Sequence, residues 1–218
     1  MDFAEWEPVY SQIIQEMGYS VIDDEASARL LRSLTLNKVL IDPDVLRPLM
    51  RCRVNVIGAA ARPDDLEEIE GTSICAGSAA TAFMEAQRTP DILVTDLDGV
   101  IRDQKECCRQ GAVAVIHAHG DNNDLIQAHI DGFDCRMIIT TQSRPDLAVV
   151  NFGGFTDGDR AVCMARHLGA KDIHLIGFDF RNPVIKEGED IDTKVKKLSW
   201  AERIIITMNP AHVSLTFR

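Results

Sequence analysis

The segment Asp91-Ile92-Leu93-Val94-Thr95-Asp96-Leu97-Asp98-Gly99 is the most informative part of the sequence, because an apolar run in it ends abruptly at an acidic turn. A short, continuously apolar segment bounded by turn residues is typical of a strand that is buried on both faces of a parallel sheet. Segments of the same kind recur from residue 52 onward, and helix-like segments lie between most of them. The pattern therefore predicts parallel strands that are connected by helices.

The predicted elements alternate along the chain. Strands are predicted at residues 53–57, 72–75, 91–95, 112–116, 135–140, 148–151 and 172–176. Helices are predicted at residues 64–70, 78–87, 101–110, 124–131 and 157–168. A last helix at residues 192–208 precedes an alternating segment, residues 213–217, that could add an antiparallel strand. This order predicts the α/β class, with a doubly wound, largely parallel, Rossmann-like sheet.

The first fifty residues have a different pattern. Apolar residues recur at spacings of three and four up to Met17, which predicts a helix that Gly18 ends. Ser20 is placed to cap a second helix through Leu34. We therefore divide the chain into a helical N-terminal region, residues 1–50, and a Rossmann-like domain, residues 51–218. The N-terminal region is expected to cover a sheet edge or to join an interface, so a homo-oligomer is plausible.

Composition excludes several classes of protein. The 218 residues include 34 acidic and 23 basic side chains, which gives a formal charge of −11 and argues against a general nucleic-acid coat. No apolar run reaches the roughly 18 residues of a membrane span, and the first ten residues do not resemble a signal peptide. The six cysteines include no C-x-x-C pair, which favours reduced thiols over disulfides or zinc. We expect a cytoplasmic protein without nucleic-acid or membrane partners.

Polar and small residues follow nearly every predicted strand. Ligands of open α/β sheets bind beyond the carboxyl ends of the strands. The residues concerned include Gly58, Gly77, Ser78, Asp96, Asp98, His117, His119, Asp121, Asn122, Gly153, Gly154 and Asp179. Because these ends meet at one edge of a parallel sheet, we predict that the functional site lies there.

Asp96 and Asp98 are the sharpest feature of this edge. At an extended strand end, residues two apart point to the same side, which turns Leu97 toward the core. Two carboxylates held this close repel each other unless a cation or a proton lies between them. Mg²⁺ prefers one or two carboxylates together with water and substrate phosphates. We interpret the pair as a metal–phosphate site; the alternative is a polar turn with solvated aspartates.

Other segments offer groups that suit phosphate. Gly77 and Ser78 open a predicted helix, whose free N–H groups favour anions. Residues 151–160 combine two glycines with Thr156, Asp157 and Arg160, although Thr156 or Asp157 could instead only cap the next helix.

Two further groups of side chains are candidates for the site. Lys194 and Lys197 share a helix face, either as a clamp on phosphates or as a solvated face. His117 and His119 are interpreted as polar pocket residues rather than zinc ligands.

In order and spacing, these segments resemble the archaeal 6-hydroxymethyl-7,8-dihydropterin pyrophosphokinase family, which is related in fold to thiamine pyrophosphokinase. The resemblance covers about residues 50–210. The segment Thr95-Asp96-Leu97-Asp98-Gly99 looks like the metal-binding Gly-Asp-x-Asp-Ser turn of thiamine pyrophosphokinases. The turn at residues 58–63 departs from the Gly-x-Gly-Pro-Ser type of that fold, which weakens the case for its contact with nucleotide.

The resemblance implies transfer of a diphosphate from ATP to a reduced pterin, 6-hydroxymethyl-7,8-dihydropterin, with release of AMP, in tetrahydromethanopterin or folate-type cofactor synthesis. It implies Mg²⁺ on Asp96 and Asp98, with Asp121 as a further ligand, and Lys197 as a catalytic contact to phosphate. The other expected ligand-binding residues are Gly77, Ser78, Asn122, Gly153, Gly154, Thr156, Asp157, Arg160, Asp179 and Lys194. Of these, Asp179 or Asn122 is expected to face the aminopyrimidine edge of the pterin.

Three alternatives stay open. A thiamine-type pyrophosphokinase would keep the reaction and change the acceptor. A non-catalytic nucleotide-binding module would bind ATP without turnover. An NAD(P)-dependent oxidoreductase is disfavoured, because the turn at residues 58–61 has one glycine where the dinucleotide fingerprint has three.

Overall fold

The computed structural model describes residues 1–182 and 190–218. Among these residues, nine strands form one sheet: β1 (Val39–Leu40), β2 (Val54–Ile57), β3 (Thr72–Ala76), β4 (Ile92–Thr95), β5 (Val113–Ala118), β6 (Arg136–Thr141), β7 (Val149–Val150), β8 (Asp172–Ile176) and β9 (Ser214–Phe217). Their order across the sheet is β1-β6-β5-β4-β3-β2-β8-β9, with β7 paired to β6. All pairings between these described strands are parallel, which confirms the predicted α/β class.

Helices cover both faces of the sheet. The α-helices of the described residues are α1 (Phe3–Met17), α2 (Val21–Leu34), α3 (Ala80–Glu85), α4 (Ile101–Arg109), α5 (Asn123–His129), α6 (Asp157–His167) and α7 (Ile191–Glu202). Apolar residues of α2 to α5 pack on one face, around Phe83 and Leu31. A 3₁₀ helix at Pro43–Arg51 and α6 pack on the other face, around Met50 and Val162. None of the helices within the described ranges is long and apolar enough to cross a membrane.

The N-terminal helices begin and end where the sequence predicts. Gly18 ends α1 with a φ of 70°, a left-handed conformation that favours glycine. The Ser20 hydroxyl accepts a hydrogen bond from the Asp23 N–H and caps α2. Trp6 and Ile13 are fully buried against α6 and α7, and β1 pairs with β6 at the edge of the sheet. Residues 1–50 are therefore packed into the same structure as the sheet.

Two predicted elements are wrong. The segment at residues 213–217 adds a parallel strand, β9, rather than an antiparallel one. The reason is that α7 lies between β8 and β9, and a helical crossover returns the chain to the same end of the sheet. The helix predicted at residues 64–70 is a single 3₁₀ turn, Pro63–Leu66.

Candidate active site

The loops that follow β2, β3, β4, β5, β6 and β8 meet around a cavity of about 270 Å³. This confirms that the candidate residues gather at the carboxyl edge of the sheet. From β2 the chain moves to one side through β3 to β6 and later returns to the other side at β8, so the cavity lies near a topological switch point. The predicted site residues that line the cavity are Ser78, Asp96, Asp98, Asp121, Thr156, Asp157, Arg160, Asp179, Lys194 and Lys197.

The acidic turn after β4 is held by its own backbone and by α4. Leu97 is fully buried with a φ of 68°, an unusual conformation for leucine, so the chain reverses sharply there. Thr95 Oγ1 accepts a hydrogen bond from the Leu97 N–H at 2.9 Å, and Gln104 Nε2 donates to the Asp98 carbonyl at 2.8 Å. Asp96 and Asp98 both reach the cavity and Leu97 fills the core beneath them, as predicted, although the backbone at Leu97 is left-handed rather than extended.

Asp96 is surrounded by cationic and polar groups. Its Oδ2 lies 3.4 Å from His119 Nε2 and 3.5 Å from Arg160 Nη1. Burial alone would raise the pKa of this carboxyl, but the hydrogen bond and charge of His119 and the charge of Arg160 outweigh it and hold the pKa well below its usual range. Asp96 therefore stays ionised.

Arg160 joins two carboxylates at the base of the cavity. Its Nη1 donates to Asp157 Oδ1 at 3.1 Å and also faces Asp96. The Arg160 side chain is only 6% exposed, so the guanidinium is held in one place rather than free in solvent. A fixed guanidinium presents several donors in a plane, which suits phosphate oxygens.

Gly77 and Ser78 begin the helical segment after β3, but a carboxylate lies close to this turn. A Cβ on Gly77 would lie 2.3 Å from Asp157 Oδ2, so only glycine permits this approach. Gly77 is buried and does not line the cavity, whereas Ser78 does. The Asp157 carboxylate therefore lies against Gly77, and Ser78 and Asp157 both line the cavity.

Thr156 is the N-cap residue of α6, which is one of the two roles that the sequence leaves open for it. Asp159, three residues on, accepts hydrogen bonds from the Thr156 N–H at 3.1 Å and the Thr156 hydroxyl at 2.9 Å. Asp159 is fully buried, and burial raises the pKa of its carboxyl. The cap fixes the start of α6, and thereby the positions of Asp157 and Arg160.

Asn122 lies beneath the cavity rather than in its lining. Its Nδ2 donates to the carbonyls of Asp96 and His117 at 2.9 and 2.8 Å, and its Oδ1 accepts from the His119 N–H at 3.0 Å. Ser27 Oγ donates a fourth hydrogen bond to it, at 3.3 Å. With all four hydrogen bonds used, Asn122 joins the loops after β4 and β5.

The two histidines after β5 occupy different layers. His119 lines the cavity, whereas His117 is buried beneath it and its Nδ1 lies 2.9 Å from Thr140 Oγ1. Burial, with the charge of Arg160, holds the pKa of His117 well below its usual value, so its imidazole is neutral.

Gly153 and Gly154 lie behind the cavity wall. A Cβ on Gly154, whose φ is 98°, would lie 2.5 Å from the Arg160 Cα, and one on Gly153 would meet the Trp6 ring. Neither glycine lines the cavity. Their close approaches are to the protein's own α6 and α1.

The far wall of the cavity comes from α7 and from the loop after β8. Lys194 and Lys197 both reach the cavity, and Lys197 Nζ lies 6.0 Å from the centre of the Tyr19 ring. Asp179 accepts hydrogen bonds from the Arg181 and Asn182 backbone N–H groups, both at 2.9 Å. Its carboxylate therefore shapes its own turn, although it also faces the cavity.

Sequence reasoning missed several cavity residues. Tyr19 comes from the connection between α1 and α2, and Gln142 is the first residue after β6. The Phe178 ring fits between two glycines, since a Cβ on Gly58 or Gly158 would lie 3.0 or 2.8 Å from it. The signal for Gln142 and Phe178 is their position one and two residues after β6 and β8, by the rule that predicted the other residues.

The donor set of the cavity fits Mg²⁺. Asp96 is ionised, Asp98 lies beside it, and the Asp98 N–H donates to Asp96 Oδ1 at 3.2 Å. In the part of the chain that the structure describes, no three His, Cys, Asp or Glu side chains are grouped to hold a metal unaided. Asp121 lines the cavity without completing such a group, and its metal role stays a prediction. Two carboxylates, with substrate phosphate and water, are the set that Mg²⁺ prefers.

The fold and the cavity define a Rossmann-like α/β protein with a small-molecule site at the carboxyl edge of its sheet. A family model described as "6-hydroxymethylpterin diphosphokinase MptE-like" matches residues 64–184. The 6-hydroxymethyl-7,8-dihydropterin pyrophosphokinase of Pyrococcus furiosus is 41% identical over 94% of this chain and 93% of its own. Proteins of the same name from Methanocaldococcus jannaschii and Methanothermobacter thermautotrophicus are 35% and 37% identical, over 94% of this chain and 95% and 94% of theirs. This chain belongs to the MptE-like 6-hydroxymethylpterin diphosphokinase family, which confirms the resemblance of its motifs.

Proposed function

We propose that this chain transfers a diphosphate from ATP to 6-hydroxymethyl-7,8-dihydropterin and releases AMP. The observation that carries the proposal is one cavity that joins the acidic pair Asp96 and Asp98 to the cations Arg160, Lys194 and Lys197. A triphosphate bound as its magnesium complex needs both kinds of group. The pterin acceptor is taken from the names of the relatives.

The reaction makes one bond and breaks another. The hydroxymethyl oxygen forms a bond to the β-phosphorus of ATP, while the bond from that phosphorus to the oxygen bridging the α- and β-phosphates breaks. AMP leaves with the bridging oxygen, and the hydroxyl proton passes to solvent. Negative charge grows on the leaving α-phosphate, so catalysis depends chiefly on positioning and charge neutralisation.

The cavity residues take separate parts in this step. Asp96 and Asp98 would hold Mg²⁺, which when bound supplies charge neutralisation to the phosphate oxygens. Arg160 would donate to phosphate oxygens from a fixed position, and Ser78 would donate from the turn after β3. Lys194 and Lys197, on α7, would contact the chain of phosphates from the opposite wall.

The proposal includes a cellular setting. All six cysteines, which lie within residues 1–182, are free thiols, as expected in a reducing compartment, and we place the enzyme in the cytoplasm. The product carries a diphosphate that can leave in a later bond-forming step, as tetrahydromethanopterin or folate-type cofactor synthesis requires.

An AMP-release assay tests this function. The protein is incubated with ATP, MgCl₂ and 6-hydroxymethyl-7,8-dihydropterin, with thiamine, or with no acceptor, and AMP is measured by chromatography. Of the three incubations, we expect AMP release only in the one that contains the pterin. Phosphorus NMR should show a diphosphate ester of the pterin. Release only with thiamine would point to the thiamine-type enzyme, and ATP binding without release would point to a non-catalytic module; either result contradicts the proposal.

A further inference from the structure

Asp24, near the start of α2, is a buried carboxylate outside the cavity. It is 2% exposed and accepts three hydrogen bonds. Tyr10 Oη and Gln142 Nε2 donate to its Oδ2 at 2.6 and 2.9 Å, and the Gly120 N–H donates to its Oδ1 at 2.7 Å. Since a buried charge is costly unless it is well paired, this arrangement needs a reason beyond the helix dipole.

One side of the arrangement holds the loop after β5. Ser27, one turn along α2, donates to Asn122 Oδ1 at 3.3 Å, so α2 contacts this loop at two points. A Cβ on Gly120 would lie 2.8 Å from the Asp23 Cβ, so glycine is needed for α2 to come this close. The loop carries His119 and Asp121, which line the cavity. The first turns of α2 thus fix the backbone that presents these two side chains.

The other side acts through the side-chain amide of Gln142. A carboxylate only accepts hydrogen bonds, so Gln142 must present its NH₂ group to Asp24. Its Oε1 then faces the other way, toward Arg160 Nη2, at 3.5 Å. Trp6 Nε1 donates to the Gln142 carbonyl at 2.8 Å and fixes the backbone of the same residue. The charge on Asp24 thereby decides that an acceptor, and not a donor, faces the guanidinium.

The protonation of Tyr10 is consistent with this polarity. Burial, followed by the hydrogen bond to Asp24, raises the pKa of the Tyr10 hydroxyl above its ordinary value. Tyr10 therefore stays a donor, and Asp24 receives donors only.

We propose that Asp24 is a positioning residue for the diphosphate transfer. Asp24 orients the Gln142 amide toward Arg160 and holds in place the loop that carries His119 and Asp121. The inference rests on the proposed function. It makes the N-terminal helices part of the catalytic apparatus rather than only a cover for the sheet. A reversed Gln142 amide would place NH₂ against a guanidinium that also faces Asp96 and Asp157, and would displace it from them.

An exchange of polarity tests this role. In Asp24→Asn, a carbonyl kept on the Gly120 N–H turns the new NH₂ toward Tyr10 and Gln142. The Tyr10 hydroxyl must then accept and the Gln142 amide must reverse, so we expect kcat/KM for ATP to fall at least about tenfold. Gln142→Glu alone places two carboxylates next to each other, and its kcat/KM for ATP should fall by a similar factor. The double variant keeps one negative charge, lets the new amide on α2 donate to the new carboxylate after β6, and again presents an acceptor to Arg160. It should recover to within about threefold of the parent.

Asp23→Asn is the matched control. It removes a charge from the same turn of α2, but its carboxylate is exposed and outside the network, so activity should stay within about twofold. Melting temperatures of all variants are measured, since loss of stability alone would not be reversed by adding a second substitution. The role is overturned if Asp24→Asn matches Asp23→Asn, or if the folded double variant stays as impaired as the single ones. If the parent protein is inactive, that result counts against the proposed function instead. The affinities of the parent and the same variants for α,β-methylene-ATP with Mg²⁺ are then compared to test the role of Asp24.

Discussion

Arg160 and Asp96 form an ion pair at the base of the cavity, with Arg160 Nη1 3.5 Å from Asp96 Oδ2. The arginine side chain is 6% exposed and the aspartate side chain 22%. The pair is therefore largely buried, and its exposed part faces the cavity. Together with the hydrogen bond and charge of His119, the pair explains how a mostly buried carboxylate keeps its charge. It also places a hydrogen-bond donor suited to phosphate beside Asp96, which we propose as a metal ligand, and diphosphate transfer requires this combination.

The pair should leave a signature in the pH dependence of stability. The pKa of Asp96 is lower in the folded protein than in the unfolded chain, where it is about 3.9. Its stabilisation is therefore fully present above the unfolded value and is lost as pH falls through the folded value. We expect Asp96→Asn to lower the free energy of unfolding at about pH 5, and to lower it less at about pH 3. Urea unfolding at the two pH values measures this, and a deficit that grows on acidification would contradict it.

Asp98→Ala tests the metal assignment. We expect magnesium-dependent AMP release to fall by roughly 100-fold or more, because one of the two proposed anionic metal ligands is removed. The side chain is exposed, so the melting temperature should change little. Glu68→Ala, at another exposed carboxylate, is the control. Activity of Asp98→Ala within about threefold of the parent, roughly 0.65 kcal/mol of barrier, would show that the metal is held elsewhere.

Strand positions and the site edge could be predicted from the sequence because both depend on local patterns. The buried run before Asp96 and the polar residues after each strand are visible without tertiary information. The helical crossover before β9 indicates a parallel strand, whereas the alternating pattern of residues 213–217 suggests an antiparallel one, and the direction predicted from that pattern is wrong.

Contacts between distant segments could not be predicted in this way. Asp24 has the sequence context of an ordinary first-turn aspartate, and only its burial against Gly120 and Gln142 distinguishes it. Gly153 and Gly154 suggested a ligand, yet their missing side chains make room for Trp6 and Arg160. In both cases the deciding neighbour is far away in the sequence.

The lysines of α7 offer a matched pair of variants. Lys197 reaches the cavity beside Tyr19, whereas the adjacent Lys196 is exposed and does not line it. We expect Lys197→Met to lower kcat/KM for ATP by roughly 10- to 100-fold, the usual loss of a hydrogen bond to a charged group. Lys196→Met should stay within about twofold. Steady-state AMP release measures both, and equal losses would mean that α7 acts through its overall charge rather than through one contact.

Alanine substitutions at Gly154 and Gly169 distinguish the cost of backbone strain from the cost of crowding against Arg160. Their φ angles are 98° and 103°, so alanine costs a similar backbone strain of about 1–2 kcal/mol at either site. A Cβ on Gly154 would lie 2.5 Å from the Arg160 Cα, whereas one on Gly169 meets nothing within 4 Å. Gly154→Ala should therefore lower the free energy of unfolding by about 1–3 kcal/mol more than Gly169→Ala, as overpacking does. It should also reduce AMP release, since relief of the clash moves the start of α6 and its guanidinium. Equal unfolding free energies, measured in urea, would mean that the loop yields and that Gly154 does not fix Arg160.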